Sequence, residues 1–419
     1  VKAYERVRDR VMRELVGIAR AHAGAFPDVV RDLVSGRGEF DQYLNIGQAG
    51  EGLLFLHLAY RHARDGGVIA FVLPRGLLAG VSWFLARVLL ASKFHVKYVV
   101  VSSDAKRGYN FSEGTSLSEV LVVARKAGGA PAGGGETVFV NLLRKPSTSL
   151  EALMLAEEVK RAARGLEAGR AVVVEVGDSS AVVLKVAGRQ VLENVDNWNR
   201  FVAVPDWELV DAVVNRLLGK GEIVLQGGGQ EAPGSAPSVK VPLARLGGIL
   251  SSFGIDGHQF HDHFSRVGER TPYPVVYGGE ENVRLRMAAR PNAFALPKTG
   301  RAGEIFRRYA ARVLVPDRIW WDTAHVVALY SEEPVTSNMF YAANIRAESS
   351  TRALAEKALV LWLNTTWGVL TVLFNRQETR GRWTSLKMAQ WKLLPVLDVA
   401  RLDPGTLGRL AGVFDEYCE

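Results

Sequence analysis

The sequence predicts an α/β protein, in which a partial, largely parallel sheet is followed by a second domain of mixed α/β type. Three observations support this fold class. Helix-like and strand-like segments alternate between residues 51 and 126, a pattern typical of sheets covered by helices. Two glycine-rich breaks, at 127–136 and 225–238, interrupt the chain. Beyond the second break the sequence is loop-rich, with scattered aromatic and arginine residues.

The first elements in chain order are two helices and a strand. Residues 2–22 carry apolar side chains at helical spacing, and LLFLHLAYRHAR (53–64) shows the same pattern before a Gly-Gly stop. VIAFVLP (68–74) is short, nearly all apolar and ended by proline. It predicts a strand that is buried on both faces.

The next elements complete the alternation. VSWFLARVLLASKF (81–94) predicts a helix, and VKYVVVSS (96–103) and SEVLVVARK (118–126) predict two strands. Short strands and a charged helix follow within 137–200. Since sheets of this class usually hold more strands, the sequence predicts only part of such a domain.

Composition limits the possible partners and location. The formal net charge is +8 and the sequence pI is about 9.5, which favours polyanionic partners, although a solvated basic surface would give the same values. Cys418 is the only cysteine, which excludes an internal disulfide and a cysteine zinc site. The absence of a charged and apolar leader favours a cytoplasmic protein. The apolar stretch 358–374 is short for a membrane span, so we expect one buried helix or two short ones there and no membrane partner.

Several common catalytic patterns have no match. The glycine-rich GQAGEG (47–52) lacks the order of a dinucleotide-binding loop, and no G-x-S-x-G elbow is present. His258, His261 and His263 are spaced closely enough to share a metal ion. Because no further ligands are evident, surface or hydrogen-bonding roles are favoured, and we assign no metal.

Basic and aromatic residues alternate in two later segments. Arginine contacts phosphate and guanine, and flat aromatic rings stack on bases, so this combination is typical of nucleic-acid binding. The alternative is packed tryptophans with arginines that point to water. The candidate DNA-binding residues are Arg318, Trp320, Trp321, Arg376, Arg380, Arg382, Trp383 and Lys387.

A loop with two aromatic residues precedes the strand at 118–126. Tyr109, Asn110 and Phe111 lie in its turn-rich part, and Thr115 follows four residues after Phe111. A single aromatic residue in this position usually caps a hydrophobic core. That interpretation stays open alongside a functional one.

Together, the order of these segments resembles the gamma-class adenine-N6 DNA methyltransferases, which include type I and type IIG restriction–modification enzymes. The resemblance is best over residues 40–126, where a helix runs into VIAFVLPRGLL and an F-x-x-x-T/S loop precedes a strand with a basic end. It implies a partial Rossmann-like methyltransferase sheet. It also implies that Phe111 stacks on a target adenine that has swung out of double-stranded DNA, with Tyr109 as a substitute or helper and Asn110 and Thr115 in the same site.

Looser similarity extends over the rest of the chain. ENVDNWNRF (193–201) is similar to a segment that leads to the family's target-recognition domain, and residues 361–396 are similar to the close of that domain. The resemblance thus implies the C-terminal half of a catalytic domain at 1–147, a connecting segment at 148–200 and a DNA-binding target-recognition domain at 201–419.

The family's cofactor loop (D-P-x-x-G-x-G) and its catalytic N-P-P-Y are both absent from the sequence. The resemblance therefore implies that S-adenosyl-L-methionine is bound mainly by residues that this chain lacks. We expect the chain alone to be inactive, as a C-terminal portion or as one half of an enzyme completed by a separate chain. The alternatives are a non-catalytic DNA-binding specificity module and a decayed gene product.

Overall fold

The computed structural model describes residues 2–129, 133–217, 222–226, 238–278, 286–321, 326–380 and 383–418. These residues form a mixed α/β protein with several sheets. The chain divides into two compact units. Unit 1 is Val1–Val210 with Asn375–Arg382, and unit 2 is Asp211–Phe374 with Trp383–Glu419. The functional domains predicted at 1–147, 148–200 and 201–419 stay predictions.

The helices are α1 (Lys2–Ala21), α2 (Asp28–Ser35), α3 (Glu51–His62), α4 (Phe84–Lys93), α5 (Ser149–Gly165), α6 (Gly188–Glu193), α7 (Trp207–Leu217), α8 (Leu246–Ile249), α9 (Gly257–His263), α10 (Ala302–Tyr309), α11 (Arg352–Leu363), α12 (Thr366–Asn375), α13 (Met388–Leu393) and α14 (Pro404–Tyr417). The strands are β1 (Val68–Pro74), β2 (Phe94–Ser102), β3 (Glu119–Lys126), β4 (Glu136–Arg144), β5 (Ala171–Val176), β6 (Ser179–Ala187), β7 (Glu222–Gln226), β8 (Ser238–Arg245), β9 (Leu250–Phe253), β10 (Phe264–Val267), β11 (Pro274–Val276), β12 (Ala288–Ala289), β13 (Ala293–Pro297), β14 (Ala311–Pro316), β15 (Arg318–Trp320), β16 (Leu329–Ser337), β17 (Phe340–Ile345), β18 (Gln377–Arg380), β19 (Trp383–Ser385) and β20 (Pro395–Leu397).

The predicted helices and strands of residues 2–126 are confirmed, but the prediction of a largely parallel sheet is wrong. The strand order in the sheet of unit 1 is β1-β3-β2-β4-β6-β5, and among the described strands of this sheet only β2 and β4 pair in parallel. The reason lies in the connection between β2 and β3. Residues 103–118 contain no helix to carry the chain across the sheet, so β3 turns back and runs antiparallel between β1 and β2.

The prediction that VIAFVLP is buried on both faces is also wrong. Within the described residues β1 is an edge strand, and the side chains of Val68, Ala70 and Val72 are exposed on one of its faces. An all-apolar sequence is typical of a strand covered on both sides, and here that cover is incomplete.

The core of unit 1 contains a buried charge that organises its backbone. Helix α4 is almost entirely buried, and its Arg87 has no exposed surface. The Arg87 guanidinium donates hydrogen bonds to the carbonyl oxygens of Leu77, Gly80, Val195 and Asp196, at 2.6–3.0 Å. Burial lowers the pKa of Arg87 to about 10, so this group stays charged near neutral pH. Arg87 thereby joins the turn after β1 to the segment before residue 198.

The main sheet of unit 2 has the order β10-β13-β11-β16-β14-β17-β9, with β12 paired to β16. Strand β14 is central, and its Leu314 and Val315 are fully buried. The stretch 358–374 forms parts of α11 and α12, as the prediction of two short helices required. Among the described residues no single helix is long and apolar enough to cross a bilayer, and α11 and α12 meet that condition only as a pair bent by 67°.

Helix α11 carries a buried carboxyl group. The side chain of Glu356 is 3% exposed, and its nearest cation in an ion pair is Arg312 of β14, at 3.8 Å. Its Oε2 accepts no hydrogen bond from the described residues. Burial raises the pKa of Glu356 to about 7, against the opposing effects of Arg312 and Arg352.

Candidate functional site

The ends of three strands bring the predicted aromatic loop to one edge of the sheet of unit 1. Strands β1 and β2 end at Pro74 and Ser102, and β3 begins at Glu119, whose register partner in β1 is Pro74. The loop 103–118 therefore leaves and re-enters the sheet at the carboxyl ends of β1 and β2. Ligands of α/β sheets commonly bind at this edge.

Two carboxylates hold the loop in a fixed conformation. Glu119 Oε2 accepts hydrogen bonds from the backbone N–H groups of Phe111 and Ser112, both at 2.7 Å. Asp104 accepts from the backbone N–H groups of Lys106, Arg107 and Lys145 at 2.8–3.0 Å. Burial raises the pKa of the Asp104 carboxyl, but these donors outweigh it and leave the pKa below its usual value.

Lys145, which follows β4, holds the loop from a third side. Its Nζ donates to the carbonyl oxygens of Arg107, at 3.0 Å, and Asn110, at 2.6 Å. Its own carbonyl oxygen accepts from the Arg107 guanidinium. The loop is thus tied to a neighbouring strand through both side-chain and backbone atoms.

All four residues predicted for the catalytic role lie on this loop. Asn110 Nδ2 donates to the Ser112 carbonyl oxygen at 2.6 Å, and Thr115 Oγ1 accepts from the Leu117 N–H at 3.1 Å, so both shape the local backbone. The Tyr109 side chain is half-buried, and its carbonyl oxygen accepts from Glu119 N–H at 2.9 Å.

Phe111 has a different environment. Its half-buried ring packs against an apolar cluster formed by β4, β5, β6 and α5, which includes Val140 and Leu142. These contacts are those of a core-capping residue, the interpretation that the sequence left open.

A buried arginine lies behind the loop. Arg75 follows β1, and its backbone N–H donates to the Ser118 carbonyl oxygen at 2.7 Å, while its Nη1 donates to the Ser102 carbonyl oxygen at 3.1 Å. The same Nη1 lies 2.6 Å from Glu378 Oε2, and both side chains are almost fully buried. Burial lowers the pKa of Arg75, and Glu378 opposes this effect. Arg75 thus fixes both ends of the loop.

The segment 375–380 completes this edge of unit 1. The Ser118 N–H donates to the Thr379 carbonyl oxygen at 3.1 Å, and Leu117 forms an isolated β-bridge with Arg380. Arg376 donates to the carbonyl oxygen of Ala203 and to Glu378 at 3.2 and 3.0 Å, and its side chain is 11% exposed. Of the predicted DNA-binding residues, Arg376 is therefore used inside unit 1, whereas Arg380 is exposed.

The other predicted DNA-binding residues gather on a strand pair of unit 2. Strands β15 and β19 are antiparallel and place Trp320 opposite Trp383, with ring centroids 4.9 Å apart and planes at 72°. Trp383 is 40% exposed and Arg318 is exposed beside it in the strand pair. Trp321 Nε1 donates a hydrogen bond to Thr384 Oγ1 at 2.8 Å, and Lys387 Nζ donates one to Asp317 Oδ1 at 3.0 Å. Arg382 lies outside the described residues.

The three histidines of 258–263 lie on the short helix α9. His263 Nδ1 is 3.1 Å from Thr299 Oγ1, and the ring of His261 packs edge-on against Phe260. Within the described ranges, no group of three or more His, Cys, Asp or Glu side chains could hold a metal ion.

The sequence interpretation missed the residues that support the loop, which are Arg75, Asp104, Glu119, Lys145 and Glu378. A partial signal exists for Arg75, because a charged residue directly after an apolar strand and proline marks the carboxyl edge of a sheet. No local signal identifies Glu378, which reaches this edge from more than 300 positions along the chain.

Comparisons with known proteins do not identify a family for this chain. No known protein family matches the sequence, and no curated protein matches it. Among solved structures, the fold is similar to the type IIG restriction endonuclease BpuSI, with 15% sequence identity and a TM-score of 0.31. The match covers 90% of this chain and 45% of BpuSI, so this chain spans less than half the length of that enzyme. A similarity of this degree assigns no activity.

Proposed function

We propose that this chain contributes the base-positioning loop and the DNA-recognition part of a site-specific adenine-N6 DNA methyltransferase. The observation that carries the proposal is the loop 103–118, with Tyr109 and Phe111, at the carboxyl edge of the sheet. Its rigid attachment through Glu119, Asp104 and Lys145 suits a loop that must present an aromatic face in a fixed position. The motif resemblance of residues 40–126 supports the assignment to adenine.

We infer that S-adenosyl-L-methionine is not held mainly by this chain. The sequence lacks both D-P-x-x-G-x-G and N-P-P-Y, the motifs that bind this donor and the adenine amino group in the resembled family. The donor would be held by residues outside this sequence, and it would supply the methyl group. We therefore assign no step of the transfer to this chain.

The role proposed for this chain is to bind and orient the DNA. An adenine that leaves the duplex loses its stacking, and a ring at this edge of the sheet would restore part of it, worth about 1–3 kcal/mol for one base. Tyr109 and Phe111 are the two candidates. Tyr109 lies close enough to Arg75 for the two groups to interact electrostatically, whereas Phe111 contacts the apolar cluster.

One observation favours a second candidate function, a non-catalytic DNA-binding specificity module. The packing of Phe111 against the apolar cluster that includes Val140 and Leu142 gives that ring a structural role that needs no base. The basic composition and the exposed Trp383 would then serve DNA binding alone.

Complementation distinguishes these functions. The reading frames beside the gene are first searched for a polypeptide with D-P-x-x-G-x-G and N-P-P-Y, which is then co-expressed with this chain. N6-methyladenine in the host DNA is measured by mass spectrometry. We expect methylation only when both polypeptides are present. If the pair binds DNA but never methylates it, or if no such polypeptide is encoded, the binding module is the correct function.

Variants of the complemented enzyme test the loop. Phe111→Ala and Tyr109→Ala are compared for methylation rate and duplex affinity, with the exposed Tyr417→Ala as the matched control. A base-stacking residue loses far more methylation than binding when it is replaced. Equal losses of methylation and binding for both loop variants would assign the two rings to packing.

A further inference from the structure

Unit 2 contains an open cleft of about 1500 Å³ that no predicted site residue lines. Three arginines lie along it, Arg270 before β11 and Arg286 and Arg290 on either side of β12. The half-buried ring of Phe294, in β13, forms part of its floor. The three arginine side chains are exposed and make no ion pair with another described residue.

The local sequence explains why two of these arginines face the cleft. In RMAAR (286–290), Met287 and Ala289 pack into the apolar core of unit 2, while the side chains of Arg286 and Arg290 are exposed at the cleft, which Ala288 and Ala289 also line. This is the alternation expected of an extended segment. Because Ala288 is small, the wall between the two guanidinium groups is open to the backbone of a ligand.

Two carboxylates lie close to the arginines. Glu332 and Glu333 of β16 line the same cleft, directly after Tyr330 and Ser331, which pair with Ala288 and Ala289 of β12, and both glutamates are exposed. Lys357 Nζ lies 3.5 Å from Glu332 Oε1 and compensates part of its charge. Among the described residues that line the cleft, three arginines thus outnumber two carboxylates, one of which is partly compensated.

We propose that this cleft binds duplex DNA, with a phosphodiester backbone against Arg286 and Arg290. Arginine matches phosphate oxygens with paired N–H donors, and the cleft is too large for a single small anion. The carboxylate of Glu333 accepts hydrogen bonds from base amino groups such as cytosine N4, a donor that the side chains of an acidic peptide do not offer. The mixed lining of arginines and glutamates therefore suits a duplex better than an acidic peptide.

The inference rests on the proposed function in one respect, that the partner of this chain is DNA. It goes further by placing the principal backbone contact in the cleft rather than on the tryptophan strand pair. That placement can be tested by binding alone, without methylation.

The experiment measures the affinity of a labelled 30-base-pair duplex of random sequence for the full chain, by fluorescence anisotropy at several salt concentrations. Arg286→Gln/Arg290→Gln is compared with wild type. Each lost phosphate contact lowers the slope of log K against log salt by about 0.9, which corresponds to about eightfold in affinity at 0.1 M salt. The double variant should therefore bind about 60-fold more weakly, with a slope lower by about 1.8.

The matched control is Arg401→Gln, which removes one exposed arginine of unit 2 outside the cleft. Circular dichroism melting establishes that all variants fold. If the double variant keeps wild-type affinity and slope, or loses no more than the control, the cleft inference is overturned while DNA binding stands. Binding of polyglutamate by wild type, with no binding of duplex, would overturn both proposals. A normal cleft effect without methylation in the complemented pair would overturn only the catalytic one.

Discussion

Replacing Glu356 by glutamine is expected to change how the stability of unit 2 depends on pH. In the wild type a carboxyl group that is 3% exposed lies on α11, with Arg312 at 3.8 Å as its nearest ion-pair partner. Burial raises its pKa from 4.5 to about 7. The folded state therefore binds this proton more tightly than the unfolded chain does.

The direction and size of the effect follow from these two pKa values. The stability that the protonated group contributes is fully present below pH 4.5, and it is lost as pH rises toward and through about 7. The loss amounts to about 3 kcal/mol, since one pKa unit corresponds to about 1.4 kcal/mol. Glutamine keeps the shape of the side chain and does not ionise, so Glu356→Gln should lack this loss.

The assay is thermal unfolding of wild type and variant between pH 4.5 and 8.5. For a unit of this size we expect the difference in Tm to grow by about 6–12 °C in favour of the variant as pH rises from 4.5 to about 7, and to level off above that pH. The control is Glu304→Gln, a substitution at an exposed glutamate of α10, and the pH dependence of Glu356→Gln is read as the excess over this control. A difference for Glu356→Gln that stays flat across this range, or that grows toward low pH, would refute the reasoning.

Three further predictions concern other buried and exposed residues. Arg87→Met should lower the free energy of unfolding by about 3–5 kcal/mol in urea titrations, because four backbone carbonyls lose their donor; a loss below about 1 kcal/mol would contradict that role. Arg75→Met and Glu378→Met should each cost about 3–5 kcal/mol, and the double variant should cost less than their sum, whereas additive losses would show that the pair is not coupled. Trp391→Ala, at a fully buried ring, should lower the free energy of unfolding by about 3–5 kcal/mol. Trp383→Ala should change stability by less than about 1 kcal/mol and weaken DNA binding, by about 1–3 kcal/mol if its ring stacks on one base. If Trp383→Ala binds DNA as tightly as the wild type, Trp383 has a structural role only.

Much of unit 1 could be predicted from the sequence because its elements have strong local patterns. The helical spacing of residues 2–22 predicted α1. The apolar runs at 96–103 and 118–126 predicted β2 and β3. The direction of β3 could not be derived in the same way. Alternation of helices and strands favours parallel pairing, and the exception depends on a single connection, 103–118, that lacks a helix.

The candidate site was predictable only in part, for a physical reason. The loop residues were found because aromatic side chains before an apolar strand are a local pattern. The buried pair Arg75 and Glu378 joins side chains from distant positions, and so does the cleft lined by Arg286 and Glu333. No local spacing of residues in the sequence indicates that these side chains meet. Phe111 shows the same limit, since only the structure reveals the apolar cluster on which its ring packs.

The return of residues 375–382 to unit 1 has a consequence for the order in which the protein folds as it is synthesised. Arg75 is made early, but its buried counter-ion, Glu378, is made only after the first and longer part of unit 2, Asp211–Phe374. Until then the Arg75 guanidinium has no carboxylate to compensate its burial, and the ends of β2 and β3 lack the segment that bonds to Ser118. The contacts that complete this edge of unit 1 can therefore form only after residues 375–382 have been made, which is later than in a domain encoded without interruption.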